Sequence, residues 1–219
     1  EDGTSTVKKD DIVEFLRAAD ARGEHVGGIA FQETWLQGDG GFKVDGYEWF
    51  GRNRSDTRCD PNAKRGSGGV GWLLCSRLLK NAQVKVSRPT HGDCEGLITV
   101  TVKKENKILT LMNMYRELPR GQFVIDDGKF IAGVLGDLEA ASEADSSGKY
   151  QKHASLMGDA NIRVGVLPDR GGCHRGGENK NSGPLAKKFV KAIEDSGACI
   201  VHGRVCTWNY TFMPVNQSR

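Results

Sequence analysis

Two apolar, strand-like runs joined by a short polar turn limit the folds open to this chain. The runs are Leu97 to Val102 and Ile108 to Tyr115, and the turn between them is Lys103-Lys104-Glu105-Asn106-Lys107. Apolar residues in short runs, bounded by a polar turn, are typical of neighbouring strands in one sheet. The pattern therefore predicts an antiparallel hairpin. Shorter apolar runs predict further strands at 29–31, 72–74, 83–86 and 198–201.

Helical periodicity adds three helices to these strands. Apolar residues at helical spacing predict helices at 8–20 and 129–141 and another that begins at Pro184, a residue suited to the first turn of a helix. Strands that cluster and helices that alternate with them indicate sheets packed together with helices outside. The 219 residues suit a single domain.

Composition excludes some classes of protein. With 37% hydrophobic and 27% charged residues the chain has a globular composition. No apolar stretch approaches the ~18 residues that a membrane-spanning helix needs, so no membrane partner is expected. Six cysteines without a Cys-x-x-Cys pair indicate free thiols in a reducing compartment.

Polar side chains that can take part in catalysis lie where three of the predicted strands end. Glu33 follows the strand at 29–31, Tyr115 ends the second strand of the hairpin, and Asp159 and Asn161 follow the apolar pair Leu156-Met157. Such a set could serve a hard cation and a phosphate, because Mg²⁺ prefers oxygen ligands. Taken singly, each has a plainer reading: Glu33 as a solvated loop residue, and Gly158-Asp159-Ala160-Asn161 as an Asx-turn.

A polar segment from Phe50 to Gly71 concentrates positive charge. It holds five basic residues and two acidic ones, and its local charge of +3 equals that of the whole chain. Arginines beside a cleft bind phosphate backbones, and a solvated loop is the alternative. A second basic, glycine-rich loop follows Asn161.

Seven sequence blocks, in order along the chain, resemble the endonuclease/exonuclease/phosphatase superfamily, and more closely the apurinic-type endonuclease domains of non-LTR, LINE-like retrotransposons. The blocks are Gln32-Glu33-Thr34-Trp35-Leu36, Arg65-Gly66-Ser67-Gly68-Gly69-Val70-Gly71, Cys94-Glu95-Gly96-Leu97-Ile98, Asn113-Met114-Tyr115, Met157-Gly158-Asp159-Ala160-Asn161, Asn181-Ser182-Gly183-Pro184-Leu185 and Thr207-Trp208. Seven ordered blocks are far more specific than any single one of them.

The resemblance implies a four-layer α/β sandwich, in which helices flank two mixed β-sheets. It implies that Glu33 binds the metal, that Tyr115 contacts the scissile phosphate, that Asp159 orients or deprotonates water, and that Asn161 holds the phosphate. The implied reaction is hydrolysis of a phosphodiester that requires Mg²⁺, with Mn²⁺ as a substitute, and that leaves a 3′-hydroxyl and a 5′-phosphate.

The resemblance also implies partners and a compartment. The substrate would be double-stranded chromosomal DNA, nicked at a target site. The nick would supply the primer for a reverse transcriptase domain of the same parent polypeptide. Such a protein would act in the nucleus. The expected contacts to DNA are Arg52, Arg54, Arg65, Asn113, Arg163 and Trp208.

The sequence also departs from the family pattern. Members begin with a strand that ends in a metal-site Asn and finish with a strand and an Asp-His pair, whereas residues 1–219 match neither. We therefore expect a domain truncated at both ends, with weak or no activity of its own, because each general acid or base contributes ~10²- to 10⁴-fold. The alternatives are a non-catalytic nucleic-acid-binding remnant and a superfamily phosphatase that acts on small phosphoesters.

Overall fold

The computed structural model describes residues 3–36, 40–53, 68–87, 96–116, 127–142, 147–160 and 184–195. The chain divides into two compact units, one made of Glu1–Tyr115 with Ala144–Gly158 and the other of Arg116–Glu143 with Asp159–Arg219. The strand expected at 198–201 lies outside the described residues. The expectation of a single domain stays a prediction.

A three-stranded sheet in the first unit is built around an apolar central strand. Its strands are β1 (Gly28–Gln32), β2 (Tyr47–Arg52) and β3 (Val70–Cys75), in the order β1-β3-β2, and both pairings are antiparallel. Because β3 is apolar on both faces, its sequence suits the middle of the sheet. The strand expected at 72–74 is thus confirmed and extended. β2 also includes Phe50 to Arg52, which begin the segment that was expected to be a polar loop.

The predicted hairpin forms the middle of a second, four-stranded sheet. Its strands are β4 (Gln83–Ser87), β5 (Leu97–Lys104), β6 (Lys107–Tyr115) and β7 (Gln151–Asp159), in the order β4-β5-β6-β7. β4, β5 and β6 pair antiparallel, and the ladder continues to Lys104 opposite Lys107, so the turn is shorter than expected. At the start of β7, the Gln151 amide donates to the Asn106 carbonyl, directly before β6. Near the end of β7, Gly158 lies against the Met114 carbonyl, near the end of β6. β6 and β7 therefore run in the same direction, and the sheet is mixed.

The core of the first unit lies between the two sheets. Alternate residues of β3 face alternate residues of β5, as the two-residue period of strands requires. Each of these six side chains is at most 2% exposed: Val70, Trp72, Leu74, Ile98, Val100 and Val102. On the opposite face of the first sheet the Trp49 ring occupies the space over Gly51 and Gly71, where any Cβ atom would collide with it.

Four helices accompany the strands in the described part of the chain. They are α1 (Gly3–Ala21), α2 (Ser76–Leu79), α3 (Asp127–Ser142) and α4 (Pro184–Asp195). In the second unit α3 contacts α4, and both bury apolar residues at helical spacing, including Phe130 and Val134 of α3 and Phe189 and Ile193 of α4. The α/β fold with two sheets flanked by helices is confirmed. None of the described helices is long and apolar enough to span a bilayer.

Candidate active site

The chain leaves β1 through a strained turn that carries Glu33. Glu33 has φ +52° and Trp35 has φ +58°, in the left-handed region that residues other than glycine rarely adopt. The Trp35 amide donates to the Gly68 carbonyl at 2.8 Å, and the Thr34 amide to the Gly69 carbonyl at 3.4 Å. Conformations of this kind cost about 1–3 kcal/mol each and persist where neighbouring structure fixes them, most often at functional sites. The exposed Glu33 carboxylate is thereby held in one place.

Tyr115, the last residue of β6, meets this carboxylate. Its hydroxyl donates a short hydrogen bond to Oε1 of Glu33, although the two residues are 82 positions apart and lie on different sheets. The Tyr115 amide also donates to the Gly96 carbonyl at 2.7 Å, which fixes the end of β6. The structure therefore brings together two of the residues to which the resemblance gives active-site roles.

Asn113 holds these strand ends together from inside the protein. It is fully buried, and its Nδ2 donates to the carbonyls of Phe31 at 2.9 Å and Gly71 at 2.8 Å. Its Oδ1 accepts from Nε2 of Gln32 at 2.6 Å. A buried amide is costly unless it is hydrogen-bonded, and here both ends of the amide have partners. Asn113 was expected to contact DNA, whereas its side chain joins β6 to β1 and β3.

Asp159 is the last residue of β7 and belongs to the second unit. Its side chain is half-buried, and its carbonyl accepts from the Arg116 amide at 2.8 Å. The preceding residue, Gly158, has φ +127°, and a Cβ atom there would collide with the Met114 carbonyl. Asp159 was expected in the loop after the strand, but the strand continues through it. Glycine at 158 lets β7 approach β6 closely just before the carboxylate.

The remaining expected site residues are mostly in parts of the chain that the structure leaves undescribed. Arg52 is half-buried at the end of β2 and makes interactions of its own. Asn161, the expected phosphate-holding amide, lies outside the described residues, as do the expected DNA contacts Arg54, Arg65, Arg163 and Trp208. Their roles stay predictions.

The donor chemistry at Glu33 fits a hard divalent cation. Mg²⁺ is bound through one or two carboxylates and keeps several waters, and Glu33 is an exposed carboxylate at a strand end with one oxygen engaged by Tyr115. Within the described ranges no three His, Cys, Asp or Glu residues cluster as a metal site. Among the described residues, Glu33 thus offers one carboxylate that suits such a cation.

Sequence reasoning gave no role to two residues that the structure places in this neighbourhood. Gln32 holds the Asn113 amide, and Arg116 is buried, with 5% of its surface exposed, directly after Tyr115. The signal for Gln32 was a polar side chain at the end of an apolar strand, directly before Glu33. For Arg116 the signal was a charge that follows a buried strand, since buried charges need partners.

Two solved structures resemble this fold. The endonuclease domain of TRAS1, a telomere-specific non-LTR retrotransposon, shares 13% identity at a TM-score of 0.46, and the alignment covers 85% of this chain and 66% of that one. An AP endonuclease from Archaeoglobus fulgidus shares 17% identity at a TM-score of 0.46, with 85% and 65% covered. The chain thus spans just under two thirds of the length of each. No family model matches the sequence, and no curated protein does.

Proposed function

We propose that this chain is the nuclease part of a Mg²⁺-dependent endonuclease that cuts one phosphodiester of double-stranded DNA. One observation carries the proposal: the hydrogen bond from the Tyr115 hydroxyl to the Glu33 carboxylate. It joins the ends of two strands whose residues are 82 positions apart, and Glu33 lies on a strained turn. In the parent protein the nick would prime a linked reverse transcriptase in the nucleus, and Mn²⁺ would substitute for Mg²⁺.

Each residue has a distinct part in the proposed reaction. Glu33 would hold the cation, which would stabilise negative charge on the phosphate. The Tyr115 hydroxyl, fixed beside Glu33, can turn its proton to a non-bridging phosphate oxygen. Asp159 would take a proton from the attacking water, whose oxygen would bond to phosphorus while the bond to the 3′-oxygen breaks. That oxygen would take a proton from solvent water and leave as a 3′-hydroxyl, and the phosphate would remain on the 5′ end.

A plasmid-nicking assay tests the proposal. The protein is incubated at high enzyme-to-DNA ratio with supercoiled plasmid, in Mg²⁺ or in EDTA, and conversion to the open circle is followed on a gel. We expect slow nicking that needs Mg²⁺ and is lost in Glu33→Gln. Glu48→Gln, which removes an exposed carboxylate from β2, is the matched control and should nick like the wild type.

A second measurement separates metal binding from turnover. Mn²⁺ binding, followed by electron paramagnetic resonance, should weaken in Glu33→Gln and stay unchanged in Glu48→Gln. Nicking that persists in EDTA, or equal nicking and equal Mn²⁺ binding by the two variants, would show that Glu33 is not the metal ligand of a nuclease.

A further inference from the structure

Five lysines gather at the end of the four-stranded sheet that lies away from Glu33 and Tyr115. β6 begins at Lys107 and ends at Tyr115, so the two ends of this strand are about 27 Å apart at ~3.4 Å per residue. The lysines lie on β4, on β5, at the start of β6 and just before β7. We call this group the basic end: Lys85, Lys103, Lys104, Lys107 and Lys149.

Two of these lysines converge on one aromatic ring. The Nζ atoms of Lys103 and Lys149 lie 4.2 Å and 5.4 Å from the ring centroid of Tyr150. The two ammonium groups also lower the pKa of the Tyr150 phenol from its ordinary value, with the hydrogen bond from Lys103 as the largest cause. The ring thus holds two positive charges close to each other at the protein surface.

The other three lysines lie on the neighbouring strands: alternation places Lys85 on the same face of the sheet as Lys103, and places Lys104 and Lys107 on the opposite face. Lys104 and Lys107 are directly opposite each other in the ladder, and Lys104 reaches only a backbone carbonyl, that of Arg77 at 3.5 Å. Lys85 pairs with Thr101, two residues along β5 from Lys103. Like charges directly opposite in a sheet are destabilising, so this arrangement has a cost in the free protein.

The basic end has little compensating negative charge. Its five lysines and the one acidic residue of the turn, Glu105, sum to +4, compared with +3 for the whole chain. Among the described residues, none of the five lysines forms an ion pair with a carboxylate. A polyanion would relieve the repulsion that the protein itself leaves in place.

We propose that the basic end is a second contact surface for the phosphate backbone of double-stranded DNA, separate from the candidate active site. Apart from the lysine-flanked Tyr150 and the partly exposed Val84 it presents ammonium groups rather than the aromatic and aliphatic anchors typical of protein interfaces. Lysines on successive strands, of which Lys85, Lys107 and Lys149 are exposed, match the repeated charges of a backbone, and each phosphate contact releases counterions. That the polyanion is DNA rests on the proposed function. The basic end is tested by DNA binding and the proposed function by nicking, so either can fail without the other.

The experiment compares two quadruple variants with the same loss of charge. Lys85→Gln/Lys103→Gln/Lys107→Gln/Lys149→Gln removes four of the five lysines of the basic end, and Lys9→Gln/Lys43→Gln/Lys187→Gln/Lys188→Gln removes four exposed lysines elsewhere. Binding to a labelled duplex of about 40 base pairs is measured by fluorescence anisotropy between about 50 and 200 mM salt. For the first variant we expect Kd to rise at least ~10-fold at low salt and the salt slope to fall by about 3, whereas the control should change little.

Four further measurements make the outcome decisive. Circular dichroism melts establish that both variants fold, and the corresponding Lys→Arg variant of the basic end should keep wild-type binding. Equal weakening by both quadruple variants, no duplex binding by the wild type, or equal competition by polyglutamate would overturn the proposal. Glu48→Gln should bind DNA like the wild type. A protein that binds through the basic end but shows neither nicking nor Mn²⁺ binding at Glu33 would refute the proposed function and leave this inference intact.

Discussion

At the scale of single residues, the contact between Tyr115 and Glu33 is the most specific feature of this protein. The sequence places each residue at the end of a strand, but nothing in it fixes the distance between them. Asn113 and Gln32 supply the missing constraint, because their hydrogen bonds connect β6 to β1 beside the two side chains. We therefore interpret Asn113 as a residue that positions the site.

Removing the Tyr115 hydroxyl should impair turnover more than stability. In Tyr115→Phe, Glu33 loses its hydrogen-bond donor, and we expect Mg²⁺-dependent nicking to fall by about 10- to 100-fold, the range for lost partners of metal ligands. Tyr47→Phe is the matched control, because it removes a hydrogen bond of 2.9 Å to the Val26 carbonyl on the same unit. It should cost about 1 kcal/mol of stability and leave nicking unchanged. Similar nicking by the two variants would contradict the role of Tyr115.

Removing the Asn113 side chain should destabilise the fold. Asn113→Ala leaves the Phe31 and Gly71 carbonyls and the Gln32 amide without their buried partner, and we expect a loss of about 3 kcal/mol in the free energy of unfolding. Asn106→Ala, in the exposed turn of the hairpin, should change it by less than about 0.5 kcal/mol. Urea denaturation measures both. Equal midpoints for the two variants would show that the buried network is dispensable.

At the scale of elements, the end of β7 depends on how closely it approaches β6. The two strands run side by side, and at Gly158 the backbone of β7 lies against the Met114 carbonyl. A side chain at that position would push the strand away from its neighbour just before Asp159. The position of that carboxylate is therefore a property of the strand pair rather than of the loop that was expected there.

Gly158→Ala should lower the free energy of unfolding by more than the cost of a positive φ alone. Gly148 also has a positive φ, of +64°, but no atom lies within 4 Å of a Cβ built there. Gly148→Ala should therefore cost about 1 kcal/mol, and Gly158→Ala about 2 kcal/mol or more, because a steric clash is added to the same kind of strain. Thermal melts followed by circular dichroism compare them. A Gly158→Ala midpoint no lower than that of Gly148→Ala would argue against the close approach.

At the scale of the whole molecule, positive charge is concentrated at one end of the four-stranded sheet. The chain carries only +3, yet the basic end alone sums to +4. Such a distribution suits a long polyanion, which can contact several surfaces at once, more than a small phosphoester bound at one point.

Activity assays separate the proposed nuclease from the alternatives of a phosphatase and a binding remnant. We expect Mg²⁺-dependent nicking of supercoiled DNA that slows as salt is raised, and no release of phosphate from inositol phosphates under the same conditions. Malachite-green detection of phosphate, run beside the plasmid assay, compares the two substrates. Phosphate release without nicking would favour the phosphatase, and salt-sensitive DNA binding with neither activity would favour the remnant.

Much of the fold could be predicted because it depends on local patterns. The hairpin from Leu97 to Tyr115 follows from two apolar runs around a polar turn, and α4 follows from Pro184 and helical spacing. β2 was missed because Phe50 to Arg52 read as the start of a polar loop. α2 was missed because four residues are too few for periodicity to show.

The sequence by itself determined which residues end the strands, and hence that Glu33, Tyr115 and Asp159 were candidates for chemistry. Only the tertiary structure decided which of them meet, because a contact across 82 residues depends on how two sheets pack rather than on neighbouring residues. The same holds for Asn113, whose polarity suggested a surface contact until packing enclosed it. The five lysines of the basic end likewise came together at one end of the sheet only through strand pairing, since they are spread from position 85 to position 149.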